Sequence, residues 1–182
     1  SGAVYISYYD DTNGDLKYAT NASGSWVTST VDRVEDVGKY SSIDVGTSGA
    51  VYISYYDDTN GDLKYVTNVS GSWATSAVDS VADVGKYSSI AVGTSGAVYI
   101  SYYDDTNGDL KYATNVSGSW GTSTVDSVVD VGKYSSIAVG TSGAVYISYY
   151  DDTNGDLKYA TNVSGSWGTS TVDSVVDVGK YS

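Results

Sequence analysis

Ala3–Tyr9 (AVYISYY) alternates β-branched and aromatic residues, with Val4, Ile6 and Tyr8 facing one way and Tyr5, Ser7 and Tyr9 the other. That period of two predicts a β-strand. Asp10–Asp15 (DDTNGD) follows, and its Asn13-Gly14 between two apolar runs predicts a hairpin with a type I′ turn, which requires positive φ at both central residues. Leu16–Thr20 (LKYAT) is the returning strand and Asn21–Gly24 a turn. Trp26–Val31 (WVTSTV) reads as a third strand, Asp32–Lys39 (DRVEDVGK) as a polar connection, and Tyr40–Val45 (YSSIDV) as a fourth strand. Gly46–Gly49 turns the chain into a repetition of the same pattern. A helix is a poor reading, because Gly, Ser and Thr interrupt every window and a Val-, Thr- and Tyr-rich helix would lose side-chain freedom throughout.

The pattern is a 47-residue unit that recurs over residues 1–47, 48–94, 95–141 and 142–182, the last copy six residues short. The third and fourth copies are identical over their shared 41 positions; the second differs from the third at four positions and the first at five. Units of this kind cannot bury their own apolar faces and must stack on neighbours. Four short strands per unit of this length predict an all-β fold, a β-propeller with four four-stranded blades per chain in a single domain, 1–182. In ring order the innermost strand is YSSI(A/D)VG, followed outward by AVYISYY, LKYAT and W-x-TSxV. The sequence opens on the second strand of a blade, and the innermost strand that would pair with Ala3–Tyr9 is absent. An unpaired strand edge is a liability. The expectation is the boundary of a longer chain, or a homodimer completing an eight-bladed ring.

Composition narrows the chemistry. There is no Cys and no His, which removes thiolate sites, the commonest general base and the commonest transition-metal ligand. The net charge of −13 repels polyanions, so nucleic acid and anionic membrane surfaces are not expected partners. No run approaches the roughly 20 apolar residues of a membrane-spanning helix. The composition leaves the compartment open.

The hairpin tips carry D-x-N-x-D: Asp11, Asn13, Asp15; Asp58, Asn60, Asp62; Asp105, Asn107, Asp109; and Asp152, Asn154, Asp156. Alternating hard oxygen donors on a tight turn imitate the first half of a calcium loop. The second half departs from it: Leu16 follows Asp15 where a calcium loop has Gly, and Ala22 (Val69, Val116 and Val163 in later copies) holds its twelfth position. The alternative is a polar hairpin tip with no cofactor. Adjacent carboxylates at an exposed tip lack the burial that would fit one for acid–base work. With no Ser-His-Asp set either, no enzyme is expected. Three charged residues occur in the first copy only: Arg33, Glu35 and Asp44. Asp44 falls on an innermost strand, where a charge is tolerable beside a water-filled channel and costly if buried.

Each copy is also rich in Tyr and ends a turn with S-G-x-W, placing Trp26, Trp73, Trp120 and Trp167 at equivalent positions. Most of these rings must serve packing between blades. A ring beside Asp, Asn or Lys can also stack on a sugar. The pattern of hydrophobic strand, G-x-L-x-Y strand, then S-G-x-W resembles the blades of fucose-binding propeller lectins, as well as very repetitive bacterial propellers of unassigned role. The lectin resemblance implies sugar sites between adjacent blades, built from a cation, an acid and a Trp. The four Trp match that position; the recurring cations are Lys17 and Lys39 with their copies, and no Arg recurs. Two readings follow. The leading one is a symmetric, self-assembling scaffold without catalysis, engineered or drawn from a highly repetitive parent. The alternative is a multivalent carbohydrate-binding module.

Overall fold

The computed structural model describes residues 2–181 and contains fifteen strands and no helix among them. Strands β1 (Tyr5–Asp10), β2 (Asp15–Thr20) and β3 (Val27–Asp32) form a three-stranded antiparallel sheet. Three four-stranded sheets follow: β4 (Val37–Val45) to β7 (Ala74–Asp79) through β5 (Val51–Asp57) and β6 (Asp62–Thr67); β8 (Val84–Val92) to β11 (Gly121–Asp126) through β9 (Val98–Asp104) and β10 (Asp109–Thr114); and β12 (Val131–Val139) to β15 (Gly168–Asp173) through β13 (Val145–Asp151) and β14 (Asp156–Thr161). Each is an up-and-down sheet in chain order, and the four are the blades of a β-propeller, as the repeat predicts.

The apolar core lies between blades. Leu16 of blade 1 packs with Val37, Val51, Ile53, Tyr55 and Val66 of blade 2, and matching clusters sit between blades 2 and 3 and between blades 3 and 4. In β5 and β9 all seven residues are buried, so both faces of these strands are covered. The Val51-Ile53-Tyr55 face meets the preceding blade, and Tyr52 on the other face joins the cluster shared with the following blade.

Two local expectations are corrected. The β1–β2 turn is not type I′: residues 11–14 form a four-residue loop between the paired Asp10 and Asp15, and Gly14 (φ 71°) alone takes positive φ. Asp10 explains the longer loop. Its carbonyl accepts the Asn13 and Gly14 N–H groups, and its carboxylate accepts those of Thr12 and Asn13 and the Asn13 side-chain amide. This is Asx-type turn chemistry. The connection predicted over Asp32–Lys39 is shorter, because the inner strand already begins at Val37, which is fully buried. Two register shifts, between Val37 and Lys39 and between Lys39 and Ser42, bend this strand. At the second, Tyr40 takes φ 50°, as do its copies Tyr87 (53°), Tyr134 (54°) and Tyr181 (62°). Such bulges re-aim side chains, and these four tyrosines follow one another with ring centroids 4.7, 4.5 and 4.4 Å apart.

The step between blades depends on one glycine. Gly38 (φ 109°) lies over β2 of the preceding blade, where a Cβ would stand 2.7 Å from Leu16 Cα. Gly85 repeats this over Leu63, and Gly132 over Leu110. Gly85→Ala therefore combines overpacking, about 1–3 kcal/mol, with left-handed strain of about 1–2 kcal/mol. Gly71 (φ 89°) has nothing within 4 Å, so Gly71→Ala carries the strain alone. Urea titration of the two variants should show the larger loss for Gly85→Ala; equal losses would contradict the crossing.

Candidate functional site

The residues most capable of chemistry gather at the seams between blades, in two polar clusters per seam. The first is built on the Asp that closes each outer strand. Asp32, at the end of β3, is buried, and its carboxylate accepts the Tyr55 hydroxyl at 2.7 Å and the Lys64 ammonium at 3.0 Å, both from blade 2. Asp79 holds Tyr102 and Lys111, each at 2.7 Å, and Asp126 holds Tyr149 and Lys158, each at 2.6 Å. The other carboxylate oxygen accepts a backbone N–H two residues on, from Val34, Val81 and Val128. Burial pushes the Asp32 carboxyl up, but the bonds from Tyr55 and Lys64 outweigh it and hold the group below its ordinary value. Asp79 and Asp126 shift the same way for the same reasons. Burial, then the neighbouring Asp32, drives the Tyr55 hydroxyl far above its ordinary value, so it stays a donor.

The second cluster occupies the polar connection. Asp36 accepts the Tyr9 hydroxyl of blade 1 at 2.6 Å and Lys39 of blade 2 at 2.9 Å, and Lys39 also reaches Asp58 at 2.6 Å. The Asp36 carbonyl accepts the Asp58 N–H, and its own N–H donates to the Thr59 hydroxyl. The arrangement repeats at Asp83 and Asp130. Asp58 first and Asp36 next raise the Lys39 pKa, so this cation persists.

Several of the predicted calcium ligands are engaged within the protein. Asp58, Asp105 and Asp152 pair with Lys39, Lys86 and Lys133. Asn13, Asn60, Asn107 and Asn154 turn their amide N–H groups onto the Asp that opens each hairpin. Asp15, Asp62, Asp109 and Asp156 stand opposite that same Asp in the strand ladder. Burial and then Asp57 raise the Asp62 pKa, and Asp104 plays the second role for Asp109. Among the described residues no group of three or more His, Cys, Asp or Glu could hold a metal ion.

Trp73, Trp120 and Trp167 lie half-buried, edge-on against Tyr18, Tyr65 and Tyr112 of the preceding blade at 5.1–5.2 Å. Trp26 is 57% exposed. Each of the eight lysines is in an ion pair with Asp. The cation that a lectin-type site would offer is thus engaged at every copy. Asp44, unique to the first copy, is neither deeply buried nor idle, since it accepts the N–H groups of Val45 and of Val92 on the next inner strand. Glu35 accepts the Asn60 amide, and Arg33 is exposed. The carboxylates at 32 and 36 went unassigned in the sequence reading; their signal was the recurrence of D-x-V-x-D beside two invariant lysines per copy.

A separate feature at the seam of blades 3 and 4 is an open cleft of about 300 Å³. Tyr99, Thr94, Ser95 and Val116 line it from one blade, and Val139–Gly143 from the next.

No family model matches this sequence, and no curated protein does. The structure is similar to a protein of unknown function from Dyadobacter fermentans DSM 18053 (TM-score 0.62, 10% identity, covering 86% of this chain and 58% of that one). It is also similar to a variant of the Aleuria aurantia lectin in complex with Fucα1-6GlcNAc (TM-score 0.59, 16% identity, 95% and 62% covered). A third is an ulvan lyase of a new polysaccharide lyase family (TM-score 0.60, 13% identity, 98% and 57% covered). At these identities the likeness shows the fold, and this chain spans little more than half the length of the first.

Lys111→Met would leave the buried Asp79 carboxylate with the Tyr102 hydroxyl and the Val81 N–H but no counter-ion, at a cost of about 3–5 kcal/mol. Tyr102→Phe, which keeps the ion pair, should cost about 1–3 kcal/mol. Chemical denaturation of both variants checks the order.

Acid should act through the same groups. Asp32, Asp79 and Asp126 have lowered native pKa values, so their stabilisation is complete above the ordinary carboxylate range and is lost as pH falls through it. Asp62 and Asp109, with raised values, act in the opposite sense slightly higher in pH. The thermal midpoint should hold steady down to about pH 5 and fall below about pH 4. Circular dichroism melts across that window test it, and a midpoint still climbing below about pH 4 would contradict the assignment.

Proposed function

We propose that this chain is a self-assembling β-propeller scaffold without catalytic activity, engineered or drawn from a highly repetitive parent. One observation carries the reading: the seam clusters recur with the same atoms at three successive junctions and engage six of the eight lysines. Groups that a catalyst would aim at a substrate are here aimed at the next blade. Among the described residues no buried side-chain polar atom lacks a partner, so no seam holds a polar group in wait for a ligand. A scaffold of this kind presents identical outer turns at a fixed spacing, and homo-oligomerisation is part of the reading.

Carbohydrate binding is a second reading, favoured by the cleft between blades 3 and 4, where an aromatic ring meets several hydroxyls, and by the likeness to the Aleuria lectin. Repeated shallow sites would act through avidity. A glycan array rich in fucosides, probed with labelled protein in calcium and again in chelator, separates the two. The scaffold reading expects a blank array in both conditions and an unchanged melting temperature on chelation. A specific sugar signal would replace it with the lectin reading, and loss of that signal in chelator would assign calcium to the Asp-Asp-Thr-Asn-Gly-Asp tips.

A further inference from the structure

The two outer faces of the blade stack carry the unmatched halves of one seam. On blade 1, Val4 is 44% and Ile6 42% exposed, whereas Val51, Ile53, Val98, Ile100, Val145 and Ile147 are all buried. Tyr8 and Lys17 stand where Tyr55 and Lys64 stand in blade 2, with no buried Asp from a preceding blade to receive them. On blade 4 the reverse holds. Asp173, the counterpart of Asp126, is exposed, and among the described residues it accepts only the Val175 N–H.

The polar connection shows the same division. After β15, Asp177 has already taken the Tyr150 hydroxyl at 2.6 Å and Lys180 at 3.1 Å. The missing member is the carboxylate that Asp58 supplies to Lys39, and its counterpart is Asp11 of blade 1, for which no hydrogen bond or ion pair is found among the described residues. Val178–Tyr181 carries the VGKY that opens every inner strand, and Tyr181 has its left-handed φ already set. No hydrogen bond, ion pair or ring contact joins blade 1 to blade 4 among the described residues.

From this we infer that, within the self-assembly reading, the occupant of the open face of β1 is blade 4 of a second copy, with Val178–Tyr181 entering as the first half of its inner strand. The register of the existing seams fixes the contact. Val37 pairs with Asp57 and Lys39 with Tyr56, so Val178 falls opposite Asp10 and Lys180 opposite Tyr9 of the second copy. Lys180 then reaches Asp11, Asp173 accepts Tyr8 and Lys17, and Trp26 finds Tyr159. The surfaces differ from each other, so the contact is head-to-tail and closes when each of two copies caps the other.

Sedimentation at micromolar concentration should give twice the 19.0 kDa chain mass. Ile6→Glu places a charge on a face that is open in the single chain, and should abolish the double-mass species while the fold, read by circular dichroism, persists. The chain has no Cys, so an Asp10→Cys, Val178→Cys variant, whose internal counterparts Asp57 and Val37 face the same seam, reports the register directly. Paired strands hold facing Cα atoms at about 4.5–5.5 Å, within disulfide reach. Oxidation should yield a covalent species of double mass. A link at single mass would mean that the chain closes on itself, and would overturn the two-copy contact. A double-mass protein that tolerates Ile6→Glu and forms no link would overturn this junction while leaving self-assembly standing. A wild-type monomer without the link would overturn both.

Discussion

Strands β5 and β9 carry aliphatic or aromatic side chains on both faces, and both faces are buried. Burying Val51, Ile53 and Tyr55 takes one neighbour, and burying Tyr52 takes another. The stabilising unit is therefore the seam and not the blade, as in other repeat architectures where nearest-neighbour interfaces dominate. Packing alone would allow sliding, because aliphatic and aromatic faces are not directional. The buried carboxylates remove that freedom. Asp32 leaves water only where the Tyr55 hydroxyl and the Lys64 ammonium arrive together, which happens in one register of one sheet on the next.

A second constraint is the path of the chain. After each outer strand it returns to the axis over the preceding blade's hairpin, and residues 36–40 perform successive tasks on the way. Asp36 binds both blades, Val37 fills the seam, Gly38 passes over Leu16, Lys39 closes the ion pair and Tyr40 turns toward its copies. A segment that reads as polar and irregular is where the blades are joined.

That explains which parts were legible in the sequence. Alternation in AVYISYY, the Asn-Gly hairpin and the 47-residue period led to the strands, their order from the axis outward and the blade architecture, because these rest on local pattern. The roles of Asp32 and Asp36 rest on partners more than 20 residues away, and nothing local separates a carboxylate that will be buried from one at an exposed tip. The tips looked richer in chemistry because their acids are adjacent in sequence. The positive φ of Tyr40 was equally hidden, since a non-glycine residue in that region is adopted only under tertiary constraint. The turn type failed for a smaller reason: Asp10 gathers its loop's N–H groups, and a four-residue loop with one left-handed glycine competes with the two-residue turn that Asn-Gly suggests.

Repetition also bears on function. Catalysis asks for one pocket with two different environments, and near-identical copies supply the same environment several times. The charged breaks in the repetition are Arg33, Glu35 and Asp44, and the two with polar partners are spent on structure, Glu35 on a hairpin amide and Asp44 on two backbone N–H groups at the axis. With six of the eight lysines drawn into the seams, the excess of acid is left outward, and two such chains carry the same net charge of −13. Beyond a Debye length of about 8 Å that repulsion is screened at physiological ionic strength. What remains at contact distance is local: one face of exposed Val and Ile with a tyrosine and a lysine that no preceding blade meets, and another bearing the carboxylate that each internal seam places against them. The same short-range chemistry that stacks blades within the chain is thus what its outer faces offer to another copy.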